Sequence, residues 1–303
     1  MIDINLIRDN PEWVKAQIAR LNDRAPIDEI LAADTRRREI ILEVEELRRR
    51  RNEASKQIGA QMGALKKLEL AAGAAEGLQG QLAELQAAVE AAKDETRLLG
   101  ERITALEEEL RAAEAEVDEK MLWVPNLPHE SVPDGPDDSH NIAYPPQGAP
   151  LPQFDFEPRA HWDLGPALGI IDFDRGVKLS GSRFYVLRGQ GARLQRAVIQ
   201  FMLDYHTTIH GYTEIYPPFM VRSAMFVGAG QLPKFVDNIY RDAEEDYMWL
   251  GTAEIALTNL HRDEILEETD LPLNYVAYTP CFRREKMSAG RDVRGIKRGH
   301  QFD

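Results

Sequence analysis

The chain has 303 residues, of which 43% are hydrophobic and 29% are charged, and its formal net charge is −14. This composition is typical of a folded globular protein with room for two domains, and it excludes a disordered chain. The acidic balance argues against nonspecific binding to nucleic acids. No apolar run reaches the roughly 20 residues of a membrane helix, and the start MIDINLIRDN lacks the features of a secretory signal. We therefore expect a cytoplasmic protein with no membrane partner.

The single cysteine, Cys281, excludes a framework of intramolecular disulfides and suits a reducing compartment. It also excludes a zinc site built from several cysteines. His206 and His210 lie four residues apart, as zinc ligands on one helix face can. The residues between them are Thr-Thr-Ile, with no glutamate to act as a base. We expect surface or dimer-contact histidines here and no zinc.

The first predicted element is a short helix that begins near Pro11, with Asp9 or Asn10 as its cap. Its predicted apolar stripe consists of Trp13, Val14, Ile18 and Leu21. Pro26 is expected to end this region.

Two long series of apolar positions follow, each at alternating steps of four and three residues. The first contains Ile40, Val44, Leu47, Arg51, Ala54, Ile58 and Leu65. The second contains Leu78, Leu82, Leu85, Val89, Ala92, Thr96, Leu99, Ile103, Leu106, Leu110, Ala113 and Val117. Heptads sustained over this length predict a coiled coil. The break at residues 70–77 predicts an antiparallel hairpin, with helices of about 30 to 40 residues and a length of about 50–60 Å. We assign residues 1–121 to this arm.

Four consecutive arginines lie on the first helix of the predicted hairpin: Arg48, Arg49, Arg50 and Arg51. They can pair with glutamates of the second helix, and each exposed pair contributes about 0.2–1 kcal/mol to the stability of the fold. Four consecutive residues point around a helix, so at least two of these arginines face solvent. Outward guanidinium groups on a projecting rod suit contacts with RNA phosphates. Both interpretations stay open at this point.

Residues 122–153 are rich in proline and lack periodicity, which predicts an irregular linker. From residue 154 onward, helical and strand patterns alternate. Residues 192–210 have helical spacing, and residues 184–187, 213–215 and 273–279 have strand character. The predicted fold class is α+β, with a mainly antiparallel sheet in a domain over residues 154–303.

The last 23 residues, CFRREKMSAGRDVRGIKRGHQFD, carry seven Arg and Lys against three acids. If this stretch begins as a strand, Arg283 and Glu285 share a face, since side chains alternate. An arginine fork can hold a phosphate and a carboxylate, and a glutamate can accept from an exocyclic amine. A basic loop and a second strand that ends at Phe302 would complete a nucleotide site. An exposed basic hairpin with a buried Phe302 fits the spacing equally well.

The same stretch resembles motif 2 of the class II aminoacyl-tRNA synthetases, in the form found in seryl-tRNA synthetases. Other resemblances to this family are GYTEIYPPFM from Gly211 (motif 1, with Pro218), GAGQLPKF from Gly228, TAEIALTNL from Thr252, SGSRFY from Ser180 and the NLPHESVP connector. In that family the coiled-coil arm reaches the long variable arm of the tRNA. The resemblance covers nearly the whole chain and implies an incomplete class II catalytic domain behind a tRNA-binding arm.

The resemblance implies a ligase that forms seryl-adenylate from ATP and L-serine and then transfers the serine to tRNA(Ser), and generally to tRNA(Sec). We expect ATP to bind together with Mg²⁺, and we expect the enzyme to be a homodimer. The implied ATP-binding residues are Arg283, Arg284, Glu285 and Phe302, with Arg283 the catalytic residue. The implied serine-binding residues are Thr252, Ala253, Glu254 and Arg283. The implied tRNA-binding residues are Arg48, Arg49, Arg50 and Arg51 on the arm, and Arg291 and Arg294 in the loop.

The family pattern continues beyond Asp303, with a further acidic residue for serine and with motif 3. The sequence therefore leads us to expect an inactive fragment of the enzyme that ends within motif 2. Two other functions remain open. A non-catalytic RNA-binding adaptor derived from a synthetase is one, although Arg283, Glu285, Thr252 and Glu254 are intact. A relative that aminoacylates a carrier protein is the other, although the intact hairpin argues against it.

Overall fold

A computed structural model describes residues 2–72, 79–286 and 294–303, with main chain only at residues 71, 72 and 79. The chain divides into two compact units, Met1–Tyr144 and Pro145–Asp303. No described helix is long and apolar enough to cross a membrane.

The first unit opens with two short helices, α1 (Ile4–Asp9) and α2 (Pro11–Arg20). The sequence analysis missed α1, which has six residues and is capped by the Asp3 carboxylate accepting from the Asn5 N–H at 2.8 Å. Two of the four residues in the predicted apolar stripe of α2 are buried. Val14 and Ile18 are buried, whereas Trp13 and Leu21 are 50% and 38% exposed. The buried face is therefore narrower than the pattern predicted.

The arm is a pair of long helices, α3 (Ile27–Ala72) and α4 (Gln79–Met121), of 46 and 43 residues. At about 1.5 Å per residue, each is roughly 65–70 Å long, which exceeds the predicted length. The prediction was too short because it began at the first regular heptad, whereas α3 begins directly after Pro26. Residues 73–78, in the predicted turn, lie outside the described residues.

The seam of the arm is built from the predicted heptad positions. Ile40, Val44, Leu106 and Ala113 form one buried cluster, with Leu47 and Leu110 packed against it. Ion pairs cross between the helices in antiparallel order: Arg36–Glu109, Glu43–Arg102 and Arg50–Glu95. The hairpin prediction is confirmed over these residues.

At its base, the arm joins α1, α2 and the segment after α4 in a second buried cluster. Its members are Ile7, Val14, Ile18, Ile27, Ile30, Ala33, Val117, Met121 and Val124. Residues beyond α4 also bond to α2, because Arg20 pairs with Asp134 at 2.5 Å and donates to the Val132 carbonyl at 2.8 Å. Part of the predicted linker, residues 122–153, is thus fixed to the first unit. The only helix described within residues 122–153 is the 3-10 turn Asp138–His140.

The second unit contains five α-helices among its described residues. They are α5 (His161–Ala167), α6 (Phe173–Ser180), α7 (Gln190–Thr208), α8 (Ser223–Gly228) and α9 (Glu254–Thr258). The longest of them, α7, corresponds to the helix predicted over residues 192–210. Its predicted apolar stripe is exposed in this single chain, with Leu194, Phe201 and Met202 at 62%, 65% and 57%.

Eight short strands pair two by two within the described part of the second unit. They are β1 (Ile171–Asp172), β2 (Val186–Leu187), β3 (Thr213–Glu214), β4 (Met220–Val221), β5 (Met248–Trp249), β6 (Tyr275–Val276), β7 (Cys281–Phe282) and β8 (Gln301–Phe302). Three pairs are antiparallel, namely β1–β2, β4–β5 and β7–β8, while β3 and β6 run parallel. The α+β prediction is confirmed, with β3–β6 as the departure from antiparallel pairing.

A compact core surrounds Leu250 and α9 in the second unit. Phe226, Leu250 and Ile255 are fully buried in it, together with Ile239, Met248 and Ala256. Because Leu250 and Ile255 are anchored in this core, the short stretch between them is held in place at its edge.

Candidate functional site

The centre of the site is the stretch from Cys281 to Arg284, which is bonded on both sides. The Phe282 N–H donates to the Leu250 carbonyl at 2.7 Å, and the Arg284 N–H donates to the Asn238 carbonyl at 2.9 Å. On the other side, the Arg283 N–H donates to the His300 carbonyl at 2.9 Å, next to the β7–β8 pair. The main chain that carries Arg283 is thus fixed by alternate bonds to two neighbouring segments.

The Arg283 side chain joins two parts of the site. Its Nε donates to the Gly251 carbonyl at 2.8 Å, and its guanidinium carbon lies 4.9 Å from the centre of the Phe302 ring. Among the described residues, this hydrogen bond uses one donor of the five in the guanidinium group, which leaves both terminal nitrogens for an anion. Arg283 is exposed, which keeps that anion-binding edge accessible.

The Glu285 carboxylate lies beside a second arginine. Arg298 Nη1 is 3.5 Å from Glu285 Oε2, and the Glu285 side chain is only 15% exposed. Strand β7 ends at Phe282, and Glu285 has a left-handed φ of +48°. The predicted strand alternation therefore does not reach Glu285. Its position follows instead from this turn, where Arg183 Nη1 donates to its main-chain carbonyl at 3.2 Å.

The stretch Thr252–Ala253–Glu254 follows Gly251 and leads into α9. The Glu254 N–H donates to Thr252 Oγ1 at 3.4 Å, a local side-chain hydrogen bond just before this helix. Thr252 and Ala253 are partly buried, and Glu254 is exposed. Since Gly251 bonds Arg283, the structure brings the predicted serine-binding stretch next to the predicted ATP-binding residues.

Arg284 points away from this group toward a separate cavity. Its guanidinium carbon lies 5.9 Å from the centre of the Tyr240 ring. The cavity has a volume of about 780 Å³ and is lined by Tyr240, Arg241, Asp242, Ala243, Glu245, Asp246, Tyr247, Met248 and Arg284. This acidic lining differs from the cationic face around Arg283.

Two tyrosines close to the site were not singled out by the sequence analysis. The Tyr278 hydroxyl donates to Asp303 Oδ1 at 2.9 Å. Burial, and then this hydrogen bond, raises the pKa of Tyr278, and burial also raises the pKa of Tyr185. Both hydroxyls are therefore neutral donors at pH 7. The contact between Tyr278 and Asp303 has no local signal in the sequence, because the two residues are 25 positions apart.

The basic loop is described in part. Lys286 donates its N–H to Asn238 Oδ1 at 3.1 Å, and Arg294 lies with its guanidinium carbon 5.0 Å from the centre of the Trp162 ring. Arg291 lies outside the described residues.

The arm arginines are exposed and paired with glutamates. Arg48 contacts Glu107 at 2.7 Å, Arg49 contacts Glu46 and Glu53, and Arg50 lies 3.8 Å from Glu95. Their side chains are 53%, 60% and 51% exposed, whereas Arg51 is partly buried. Exposed pairs of this kind are weak, so these contacts leave both interpretations of the arginines open.

The two histidines of α7 contact each other. His206 Nδ1 and His210 Nδ1 are 3.0 Å apart, and both rings lie near Tyr205 and Tyr212. Across residues 2–72, 79–286 and 294–303, no group of three or more His, Cys, Asp or Glu side chains could hold a metal ion.

Two family profiles match the chain. The profile of the seryl-tRNA synthetase N-terminal domain matches residues 1–99. The profile of the tRNA synthetase class II core domain (G, H, P, S and T) matches residues 235–303, which include the site around Arg283.

Curated relatives and solved structures match over the whole chain. A serine–tRNA ligase of Roseiflexus sp. (strain RS-1) is 53% identical over 304 residues, and one of Dehalococcoides mccartyi (strain BAV1) is 51% identical over 303. The chain spans 66% of the length of each of these relatives.

Among solved structures, the seryl-tRNA synthetase from Pyrococcus horikoshii complexed with ATP matches with a TM-score of 0.79 and 34% identity, and the match covers 100% of this chain and 68% of that one. The cytoplasmic serine–tRNA ligase from Naegleria fowleri in complex with AMP matches with a TM-score of 0.76 and 27% identity, and the match covers 100% of this chain and 69% of that one. The N-terminal arm and the class II core thus both match one family, and the chain belongs to the seryl-tRNA synthetases.

Proposed function

We propose that the protein provides the arm and the ATP-binding half of a serine–tRNA ligase that acts in the cytoplasm. In the first step, a serine carboxylate oxygen attacks the α-phosphorus of ATP, and the bond to pyrophosphate breaks. In the second step, a ribose hydroxyl at the tRNA 3′ end attacks the seryl carbonyl, and AMP leaves. The observation that carries this proposal is the position of Arg283 between Phe302 and the Gly251–Glu254 stretch.

Arg283 is suited to hold the two reacting groups together. Its main chain is fixed on both sides, and its Nε is bonded to the Gly251 carbonyl at 2.8 Å. A guanidinium group held in this way contacts the α-phosphate and the serine carboxylate without reorganising during the reaction. Negative charge grows on the phosphorus oxygens as the carboxylate attacks, so the same contact is stronger in the transition state.

Glu285 and Phe302 suit the adenine of ATP. The Glu285 carboxylate has two oxygens and about four acceptor positions, so it can accept from the adenine amine while Arg298 stays beside it at 3.5 Å. Phe302 already has one face toward the Arg283 guanidinium, and an adenine ring stacked on Phe302 would place its phosphates close to that arginine. Arg284 also belongs to this proposed ATP site, although its side chain lines the separate cavity beside Tyr240.

We assign the serine pocket to Thr252, Ala253 and Glu254. A carboxylate at Glu254 suits the serine amino group, and the Thr252 hydroxyl suits a small polar substrate. The connection from Gly251 to Arg283 places these groups next to the reacting carboxylate. Positioning and electrostatics are sufficient for this chemistry, and no nucleophilic side chain takes part.

Mg²⁺ enters this proposal with the phosphates of ATP, as part of the substrate. No described group of three or more metal-ligating side chains provides an independent site for it. We propose that zinc has no role in the reaction.

We propose that the arm binds tRNA(Ser), and also tRNA(Sec), through phosphates. Arg48, Arg49 and Arg50 are half exposed or more, and their surface pairs contribute little, so phosphates can replace the glutamates. Arg51 completes this basic stretch, and Arg291 and Arg294 would meet the acceptor end. The division into an arm, a linker and a catalytic domain is part of the same proposal.

We propose that the protein acts as a homodimer through α7 and the stretch from Tyr212 to Pro218. The exposed apolar side chains of α7 are Leu194, Val198, Phe201, Met202, Tyr205 and Ile209. Tyr216 is 79% exposed in the neighbouring stretch. A continuous apolar face of this kind marks an interaction surface, and the resemblance of this stretch to motif 1 favours a second copy of the chain as its partner.

The test is serine-dependent ATP–pyrophosphate exchange, in a form of the protein that spans the full length of its relatives. Arg283→Ala should lower the exchange rate by about 10²–10³, the usual loss for one transition-state donor. Arg222→Ala is the matched control, because Arg222 also stacks on an aromatic ring, 4.6 Å from Tyr247, outside the site. Near-normal exchange in Arg283→Ala would contradict the assignment. A wild-type protein that binds tRNA but shows no exchange would favour an adaptor.

A further inference from the structure

The segment Arg294–Lys297 lies on the first turn of α5. The Arg294 guanidinium carbon and Lys297 Nζ lie 5.0 and 5.3 Å from the centre of the Trp162 ring. Between them, the Ile296 N–H donates to His161 Nε2 at 2.8 Å. These contacts join residues that are about 135 positions apart in the sequence, so they are tertiary contacts rather than a local turn.

Gly295 allows this close approach. Its φ is +73°, and a Cβ atom placed on it would lie 2.2 Å from His161 Nε2 and 2.9 Å from Trp162 Cε3. No side chain fits at such distances, and the left-handed backbone separately favours glycine. The main chain of the segment therefore rests directly on the two rings.

The two rings form a defined surface. His161 and Trp162 meet edge to face, with centroids 4.9 Å apart and an interplanar angle of 71°. His161 Nε2 accepts the bond from Ile296, so the proton of the neutral ring is on Nδ1. Asp163 adds a carboxylate 3.9 Å from Arg294 Nη2. Both cations thus lie over an aromatic face, and Arg294 also has one weak ion pair.

We propose that His161 and Trp162 form a docking platform that positions Arg294 and Lys297 for the phosphates of the tRNA acceptor end. The identity of this anion rests on the proposed function; the platform itself does not. Arg294 remains 73% exposed while stacked, so its donors stay accessible to an anion. Stacking restricts the long side chain before binding, which lowers the entropy lost when it contacts a phosphate.

Cation–π contacts at exposed sites are weak enough to exchange with a phosphate contact. The platform therefore orders the segment without trapping it. Trp162 and His161 are positioning residues in this proposal, since neither contacts the reacting atoms.

The first experiment is limited digestion of the 303-residue chain with trypsin, with the rate of cleavage after Lys297 followed by mass spectrometry. Trypsin must take the Lys297 side chain away from Trp162, so cleavage reports the undocked population. Trp162→Ala should raise this rate about tenfold, the order expected for the loss of two exposed cation–π contacts. Trp162→Phe, which keeps an aromatic face, should restore most of the protection.

Gly295→Ala tests the platform from the other side, and the bond after Lys297 is unchanged in it. We expect faster cleavage, similar to that of Trp162→Ala. Gly169→Ala is the matched control, because Gly169 has a φ of +68° but nothing within 4 Å of a Cβ. It reproduces the backbone strain without the clash. Equal protection in Trp162→Ala, Gly295→Ala and wild type would overturn the platform.

The second experiment compares tRNA(Ser) charging by the same variants in a form that spans the full length of the relatives. Trp162→Ala should raise the KM for tRNA about three- to tenfold, with kcat and ATP–pyrophosphate exchange near wild type, and Trp162→Phe should recover the KM. Faster cleavage with an unchanged KM would overturn the role in tRNA binding. Absence of charging by the wild type would count against the proposed function, while the digestion result would still decide on the platform.

Discussion

A buried carboxylate at the base of the arm provides a direct test of the forces that hold α1 against α3. Asp34 is 2% exposed and accepts three hydrogen bonds from two arginines. Arg8 reaches it from α1 through Nε at 2.5 Å and Nη2 at 2.8 Å, and Arg37 reaches it from one turn further along α3 at 2.6 Å. Asp34→Asn removes the charge and keeps the shape.

The expected loss of stability follows from these contacts. Charge-assisted hydrogen bonds contribute about 1.5–3 kcal/mol each, and breaking a buried ion pair costs about 3–5 kcal/mol. Arg8 and Arg37 are 25% and 23% exposed, so water recovers part of their solvation in the variant. We therefore expect a loss of about 3 kcal/mol, which lowers the Tm of a unit of this size by roughly 10 °C.

The assay is thermal unfolding of the whole chain, followed by circular dichroism at 222 nm, where the helices of the arm dominate. Glu43→Gln is the control on the same helix. Glu43 pairs with Arg102 at 2.9 Å, but it is 47% exposed, so its loss should cost no more than about 1 kcal/mol. Equal Tm values for Asp34→Asn and wild type would refute the reasoning about burial.

The same pair of proteins gives a pH dependence with a defined sign. The hydrogen bonds from Arg8 lower the pKa of Asp34 from its usual value of 3.8. A carboxylate with a lowered pKa contributes stability above the unfolded value, and this contribution is lost as the pH falls through the folded value. The difference between wild type and Asp34→Asn should therefore be constant near neutral pH and shrink below about pH 4. A difference that grows on acidification would contradict the assigned ion pairs.

Two further predictions concern partners. Replacing Arg48, Arg49, Arg50 and Arg51 by Gln should weaken the binding of tRNA(Ser), measured by filter binding. The slope of the logarithm of the binding constant against the logarithm of the salt concentration should become less steep by up to about 3. An unchanged slope would show that these arginines only pair with glutamates. In sedimentation at micromolar concentration, we expect the wild type to have the mass of a dimer and Phe201→Asp to have the mass of a single chain. The reason is that a charge would replace a side chain that is 65% exposed on the apolar face of α7. Equal masses for the two proteins would contradict the α7 interface.

The arm was predictable because its apolar residues repeat locally. Ile40, Val44, Leu106 and Ala113 are heptad positions in the sequence and form a buried cluster in the structure. By contrast, α1 was missed because its six residues are too few to show a period. The sequence did not indicate the role of Asp34, since its partner Arg8 is 26 residues away.

The candidate site shows the same limit. The sequence indicated Arg283, Glu285, Phe302 and the stretch after Gly251, because each lies in a recognisable motif. It did not indicate that Gly251 bonds Arg283, nor that Glu285 sits on a turn with a φ of +48°. These features depend on packing between segments that are distant in the chain, and no local pattern encodes them.

The most direct test of the proposed activity is the transfer of labelled serine to purified tRNA(Ser) by a form of the protein that spans the full length of its relatives. The proposed activity predicts ATP-dependent formation of seryl-tRNA, loss of most of this activity in Arg283→Ala, and no comparable charging with threonine or alanine. Charging with another amino acid in preference to serine, or charging that survives Arg283→Ala unchanged, would contradict it.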